Sequence, residues 1–488
     1  MKKLIISLLL CAMMLPTLAA CGGSTDTGAA ETAAANAETT AAAETTTEEE
    51  RITDDLPSDL NYNGYEFKVH SRYAPNYFGY TVSTPEETGD VVNDAIYARD
   101  RALEERLNIK FTEVTYDNDT QGQEVPKTLI MAGDDTYDLF VARNVQSFTW
   151  AAEGLIIDWS QLDYVDLDKP YWDQSINENF VLNDKIFFAA GAYNLTTYDW
   201  THTLLFNKQI HTSLGLDNPY EMVLDGSWTY DEFSKMAKAA VADVNGDGQM
   251  TLDDRYGLIS YNAQVLPGFW IGAGTQTIER DSDGKFVYST PENERFISVY
   301  DRVTADMWDD NVWYRMPRTG LTLEQQLQIF ADGKGLFGNA NFYRISKLRA
   351  METDFGILPY PKWEESQDSY ISRIEGCEMP IVPMTNKDLS RTGAILEALS
   401  SESLYTVVSA YYDKALTGKY ARDEESLEML DIIMANRVFD YGDTILCSQV
   451  RDGVIRNSFE QNVRDIVSAL VANTGTVNGQ LQILNKDY

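Results

Sequence analysis

The chain opens with Lys2 and Lys3 and then an apolar run from Leu4 to Leu15 broken only by Ser7. That run is shorter than the roughly 20 residues of a membrane-spanning helix, so it reads as an export signal. Gly22 to Glu50 is almost entirely Ala, Thr, Glu, Gly and Ser, with no aromatic and no large aliphatic residue. With nothing to bury it is expected to act as a tether extending to about Ser58, spanning about 30 to 35 Å as a coil. Beyond it the pattern becomes globular. Glu66-Phe67-Lys68-Val69-His70 alternates like a strand, and Val92, Ile96, Leu103 and Leu107 line one face of a helix from Val91 to Leu107. Ile109-Lys110-Phe111 resumes strand character, Val125 to Met131 predicts a short helix, and Tyr137 to Val141 reads as a buried parallel strand. This alternation predicts an open parallel sheet with its ligand crevice outside the carboxyl ends of the strands, here Ser71 to Gly79 and Ala142 to Trp150. In a second α/β region Thr229 and Glu232 predict a capping box, flanked by Trp228 and Phe233 at staple positions, for a helix that stops at Asp243. The last third predicts amphipathic helices over Leu389 to Leu416 (Ile395, Leu399, Leu404) and Glu424 to Asn436 (Leu427, Leu430, Ile433).

Composition narrows the function. The 488 residues carry 39 Lys and Arg against 76 Asp and Glu, a formal net charge of −37, which excludes the cationic face that nucleic-acid binding requires. Without the two signal lysines and the seven tether acids, residues 51–488 still carry −32. The expected ligand is therefore neutral or cationic, and an anion needs a local basic pocket. The length predicts two or three domains. Three histidines and four cysteines leave little material for catalytic triads, zinc sites or disulfide frameworks. His70 and His202 fall near the expected crevice, although a lone histidine is more often a hydrogen-bonded structural residue. Cys377 and Cys447 are candidates for a disulfide that spacing alone does not decide. No Gly-x-Ser-x-Gly, His-Glu-x-x-His, phosphate loop or Cys-x-x-Cys occurs.

Two local motifs resemble known devices. Leu18-Ala19-Ala20-Cys21-Gly22 resembles the lipobox of bacterial lipoproteins, which implies a signal peptide over 1–20, a diacylglyceryl group on Cys21 and a tether over 21–58. Two acyl chains suffice for stable anchoring. The run from Asp243 to Asp254 resembles the calcium loop of EF-hands and dockerins. Asp243, Asn245 and Asp247 stand at positions 1, 3 and 5, with Gly248 at the turn, the Gln249 carbonyl at 7, Thr251 at 9 and Asp254 at 12. A structural calcium ion is expected there. Asp254 departs from the usual bidentate Glu, and no second loop follows.

Longer-range motifs resemble a family. Asp138-Leu139-Phe140-Val141 with Ala151-Ala152-Glu153-Gly154-Leu155, then Leu205-Phe206-Asn207-Lys208, Gly226-Ser227-Trp228-Thr229-Tyr230-Asp231-Glu232-Phe233, Phe330-Ala331-Asp332-Gly333-Lys334 and Gly356-Ile357-Leu358-Pro359 occur in that order. Together they resemble the family 1 extracellular solute-binding proteins of ABC importers, the group containing maltose-binding protein. The resemblance implies an α/β, two-lobed, periplasmic-binding-protein-like (Venus flytrap) fold with hinge crossovers near Gly191 to Tyr198, Lys334 to Phe342 and Arg373 to Cys377. The implied N-terminal lobe is 59–192 with 338–373, and the C-terminal lobe is 193–337 with 374–488, carrying the loop 243–254. The implied function is non-catalytic capture of a solute by hinge closure and its delivery to an ABC permease, by a monomer lipid-anchored on the extracytoplasmic face.

Aromatic residues at the expected crevice loops (Tyr73, Tyr77, Phe78, Trp150, Tyr198, Trp200, Phe269, Trp270, Phe342 and Tyr343) offer flat faces for a sugar ring. Arg143, Asn144, Gln146, Asp199, Asn339, Asn341, Arg373 and Glu375 are the expected polar partners. The expected ligand is a neutral mono- or oligosaccharide, with peptides and polyamines left open. Two alternatives stand beside this reading: a surface glycoside hydrolase, since 76 acids make carboxylate pairs inevitable, and a calcium-dependent adhesion module.

Overall fold

Two four-stranded sheets divide the folded body. The structure is a computed structural model that describes residues 51–72, 78–116, 119–308, 312–314, 322–414 and 423–486. The signal, Cys21 and all but the end of the tether lie outside the described residues.

The first sheet has the order Glu378–Ile381, Leu139–Arg143, Tyr65–Arg72, Ile109–Tyr116. Its last three strands are parallel, as the alternation of strands and helices predicts, and Glu378–Ile381 joins antiparallel at the edge. The helix Val91–Leu107 forms where its apolar face predicts. Asp90 caps it by accepting from the Val92 and Asn93 N–H groups, and Asn108, at φ 49°, ends it in the left-handed conformation. The third strand begins two residues later than expected because Asp138 is drawn aside, accepting from the Lys68 N–H and the Tyr65 hydroxyl.

The second sheet has the order Phe355–Leu358, His202–Asn207, Gly335–Asn341, Tyr256–Ile259. His202–Asn207 runs antiparallel to both neighbours, and Gly335–Asn341 pairs in parallel with Tyr256–Ile259. All four strands are buried along their whole length, so none shows the two-residue alternation of a half-exposed strand.

The lobe boundaries therefore differ from expectation. Residues 338–358 do not return to the first lobe: Gly335–Asn341 and Phe355–Leu358 are both inside the second sheet. The crossing at Arg373 to Cys377 leads instead to Glu378–Ile381 on the first sheet. The helix Leu389–Tyr405 follows and is buried in the core with Phe67, Val69 and Trp172. It is buried around most of its girth rather than amphipathic, and its Glu397 is accommodated by the Tyr171 hydroxyl and the Trp172 indole N–H. The chain crosses once more before Glu424–Ala435, whose Ser426 hydroxyl accepts from the Ile357 N–H of the second sheet and shares a hydrogen bond with the Tyr220 hydroxyl. The physical reason is pairing partner: hydrogen-bond ladders between strands 130 or more positions apart assign each segment to its sheet, and no local pattern carries that information.

Two smaller expectations also change. The tether ends earlier than Ser58. Leu56 is buried, Asp54 pairs with Arg106, and Asp55 pairs with Lys169. Thr229 precedes the helix Tyr230–Ala240 but makes no side-chain cap bond; the Tyr230 N–H goes to the Lys362 carbonyl instead. The staple contact does form, with the Trp228 and Phe233 rings 6.3 Å apart. A capping box with both bonds occurs at Thr322 and Gln325.

Candidate functional site

The carboxyl ends of the parallel strands of both sheets converge on the crossing segments. Thr201 bridges Ile374, the Glu375 N–H bonds the Trp200 carbonyl, and the Asn144 N–H bonds the Cys377 carbonyl. Gly376 adopts φ 156°, and a side chain there would stand 3.3 Å from Asn144 Oδ1 and 3.5 Å from the Trp200 ring. Its missing Cβ lets the amide and the indole approach the crossing from either side. Trp200 is only half-buried.

On the second lobe the same edge presents His202, Asn341 and the residues after Tyr256–Ile259. Glu375 is the centre of this floor: it accepts from Gln264 Nε2 at 2.5 Å and contacts His202 Nε2 at 3.0 Å. Burial pushes the Glu375 carboxyl up, but the His202 hydrogen bond and the Arg373 and Arg344 guanidiniums outweigh it and hold the group well below the usual carboxylate range. Burial and the same arginines push His202 down to about 4. A neutral His202 must carry its proton on Nε2 to donate to Glu375, which leaves Nδ1 as an acceptor. That Nδ1 is buried without a partner, as are Asn262 Oδ1 and Gln264 Oε1. His202 and Gln264 meet at Glu375, and Asn262 opens the helix that carries Gln264.

Beneath the floor Arg373 is fully buried. Its Nε and Nη2 bond the two Asp443 oxygens at 2.6 and 2.9 Å, and Nη1 donates to the Gln264 carbonyl. It therefore positions the floor rather than facing a ligand. The other expected residues divide similarly. Asn144, Trp200 and Glu375 come together at the crossing, with Arg143 and Gln146 half-buried at the adjoining strand end and helix start. Asn339 is held inside the sheet by Ser260 at 2.6 Å, and Asn341 caps the short helix Phe342–Ile345 by accepting from the Arg344 N–H. Asp199 accepts from the Gly79 N–H and the Tyr411 hydroxyl, and burial pushes it up to about 6. Tyr198 packs against Tyr411 and Tyr412 under Arg437. Tyr73 and Tyr77 lie outside the described residues.

Trp270 is not a stacking platform. It is buried in the second core, its indole N–H donating to Asp440 at 2.8 Å. Phe78, Trp150, Phe269 and Phe342 are likewise buried. An aromatic side chain next to a strand end serves core or crevice according to which way its backbone turns, and sequence position does not reveal this. Asn262 and Gln264 are not legible as crevice residues for a related reason: the strand Tyr256–Ile259 before them has four residues and no alternation, so its carboxyl end carries no sequence signal. A concavity of about 700 Å³ walled by Asn207, Glu324, Leu327 and Lys347 shares none of these residues.

The loop 243–254 folds on its own side chains. Asp243 accepts from the Gly246 and Gly248 N–H groups, Asn245 from Asp247, Asp247 from Gln249, and Asp254 from Val244 and Thr251. The Thr251 and Val244 N–H bonds hold the Asp254 carboxyl below its ordinary value. Gly248 takes φ 78° at the turn. Among the described residues no three His, Cys, Asp or Glu side chains are gathered as metal ligands, so no three of the loop's four carboxylates meet at one point. Cys377 and Cys447 are free thiols, Cys377 lying 3.5 Å from the Met379 sulfur.

Residues 58–365 match the family model described as bacterial extracellular solute-binding protein. The chain belongs to that family, family 1 of the solute-binding proteins. Among solved structures, a cyclo/maltodextrin-binding protein complexed with maltotetraose aligns at TM-score 0.60 and 14% identity, over 87% of this chain and 100% of its own. A sugar transporter from Rhizobium etli in an open conformation aligns at 0.58 and 15%, over 84% and 99%. The maltose/maltodextrin-binding domain MalE of Bdellovibrio bacteriovorus bound to maltotriose aligns at 0.52 and 15%, over 86% and 100%. At these identities the likeness shows the two-lobed fold. No curated protein matches the sequence. Membership of an extracellular family of binding proteins places the solute-binding protein outside the cytoplasm. Among the described residues no helix is long and apolar enough to cross a membrane.

Both crevice-region histidines are kept neutral, and this sets a pH dependence. His70 is 1% exposed, packs against Tyr116, Tyr137 and Phe140 with neither ring nitrogen bonded, and burial lowers it to about 4. The unfolded chain takes up a proton here below about pH 6.5, whereas the native state does so only below about 4. This stability is thus present above the unfolded value and lost as pH falls between the two. Replacing His70 by Phe should remove that loss. The stability difference between variant and wild type should grow in the variant's favour by up to about 1.4 kcal/mol per pH unit from pH 6.5 to 4. Urea unfolding at several pH values measures it, and a pH-independent difference would contradict a neutral buried His70.

Proposed function

We propose that this solute-binding protein captures a carbohydrate in the crevice between its lobes and delivers it to an ABC permease, held at the membrane by a lipid on Cys21. The observation that carries the reading is the crevice floor. A half-buried indole, Trp200, stands beside Asn144, and Glu375, whose N–H bonds the Trp200 carbonyl, gathers His202 and Gln264, each with one buried polar atom left without a partner. An aromatic face that stacks on a sugar ring and amides that bond its hydroxyls are the two chemistries a saccharide requires. The sugars bound by several solved structures of the same fold support it. Capture and release by hinge bending, without bond making, fit a site whose carboxyl groups are already committed. Glu375 is held ionised by its neighbours, and Glu113, Asp199 and Asp440, which burial pushes up to about 7, 6 and 6, each bond groups within the protein.

The carbohydrate reading is tested by thermal melting against a saccharide panel. A sugar present at about 100 times its dissociation constant should raise stability by about 2.7 kcal/mol. Trp200→Ala should weaken binding while leaving the unliganded melting temperature unchanged. A panel without any shift, beside a clear response to peptides or polyamines, would overturn the assignment.

The lipid anchor rests on the sequence Leu18-Ala19-Ala20-Cys21-Gly22. Cys21→Ala should release the protein into the soluble fraction, and unchanged membrane retention would exclude lipidation at this position.

The loop 243–254 is proposed to close on a structural calcium ion, with Asp243, Asn245, Asp247, the Gln249 carbonyl, Thr251 and Asp254 as oxygen ligands. The order of its internal hydrogen bonds and the left-handed Gly248 support this. The ion would offset the repulsion among the carboxylates of Asp243, Asp247 and Asp254 on one short loop. Chelator should lower the melting temperature, calcium should restore it, and Asp247→Ala should abolish the response. A melting temperature indifferent to both would leave the loop an acidic turn.

A further inference from the structure

Where their side-chain contacts are described, arginine guanidinium groups are mostly bonded to carboxylates or carbonyls or laid on rings. Arg143 and Arg344 make no side-chain hydrogen bond, no ion pair and no ring contact, and the Nε atom of each is buried without a partner. Arg344 is only 8% exposed. An arginine stays charged at any physiological pH, and a buried charge is tolerated when it is paired. In a chain with 76 acids, the buried, unpaired Arg344 and the half-buried, unbonded Arg143 are therefore not a shortage of partners but a place where the partner is not protein.

Both lie at the crevice, one from each lobe. Arg143 ends the strand Leu139–Arg143, opposite Glu378 in the register and directly before Asn144, which faces Gly376 and Trp200. Arg344 sits in the helix Phe342–Ile345 that follows Gly335–Asn341, and it adds to the field acting on Glu375 and His202. Those two groups give Arg344 no bond, since Glu375 is already taken by His202 and Gln264. We propose that the crevice binds a saccharide carrying a carboxylate, a uronic acid unit, whose charge is shared by Arg344 from one lobe and Arg143 from the other. The inference rests on the carbohydrate reading above and refines its ligand class.

The acidic body does not oppose this. Its −32 acts through solvent and is screened over about 8 Å at physiological ionic strength, whereas a guanidinium binds a carboxylate in contact. The fork of an arginine matches a planar carboxylate with two parallel hydrogen bonds. A singly charged carboxylate also suits a pocket of two cations beside an ionised Glu375 better than a doubly charged phosphate. The expectation of a neutral ligand, drawn from net charge, thus gives way to the local basic pocket that an anion requires.

The test uses the whole protein and calorimetric titration of glucuronate, galacturonate and mannuronate, as monomers and short oligomers, beside the corresponding neutral sugars and their sulfate and phosphate esters. A uronate should bind at least about tenfold more tightly than its neutral parent, with affinity falling as salt rises. Arg344→Met should cost about tenfold or more in uronate affinity and clearly less in neutral-sugar affinity, so that the preference for uronates collapses. It should not lower the unliganded melting temperature, because it removes an unpaired buried charge. If that variant fails to fold, Arg143→Gln carries the same comparison. Neutral sugars binding as tightly as uronates would overturn the inference and spare the carbohydrate reading, while no sugar of any kind binding would overturn both. Esters binding in place of uronates would overturn the carboxylate assignment, and an Arg344→Met protein with lower melting temperature and unchanged uronate affinity would give Arg344 a structural role instead.

Discussion

The junction between the lobes depends on one buried ion pair. Arg373 has no exposed surface, and neither has Asp443, which takes two of its hydrogen bonds. Arg451 bonds Asp443 from a further side. Removing one partner of such a pair typically costs about 3 to 5 kcal/mol because the other charge stays buried. The pair ties the crossing Ser372–Arg373, itself paired with Arg437–Val438, to the start of the helix Asn262–Gly272 through the Gln264 carbonyl. Gln264 is thereby held where its amide reaches Glu375, and Glu375 where it reaches His202. A fully buried arginine thus sets the geometry of a crevice it does not itself touch.

The crossings are also coupled through their main chains. Thr201 and Ile374 form a bridge, and the Glu375 and Phe342 N–H groups bond the carbonyls of Trp200 and Thr201. Segments joined in this way bend together, which is the mechanical requirement for closing two lobes as rigid bodies. The crevice residues sit at these joints, so closure changes the spacing of groups drawn from different lobes while each lobe keeps its own core.

Charge is organised on two scales. The surface is acidic, yet the centre is rich in arginine: Arg72 with Glu378, Arg373 with Asp443 and Arg437 with Asp173 are buried pairs. Arg344 stands out against that background because Glu375 is already taken by Gln264 and His202, and Arg143 because its side chain makes no bond. Unsatisfied groups of this kind lower the stability of the free protein and are retained at sites whose partner arrives from solution.

The sequence by itself determined what a few neighbouring residues can specify. The helix Val91–Leu107 and its apolar face, the strand after Tyr62-Asn63-Gly64, the parallel first sheet, the order of family motifs and the residue types of the loop 243–254 were all legible, because each rests on spacing within one element. Of the candidate site, Asn144, Trp200 and Glu375 were found because they lie at strand ends or crossings. Only the tertiary structure decided which lobe Gly335–Asn341 and Glu378–Ile381 join, that Trp270 is core through Asp440, and that Arg373 is buried support whereas Arg344 is an unpaired cation. Trp270 and Asp440 are 170 positions apart, and Arg373 and Asp443 are 70 apart. Whether a side chain is satisfied, and hence whether it is free to bind something else, depends on such distant partners, and those are chosen by strand pairing and packing rather than by local pattern.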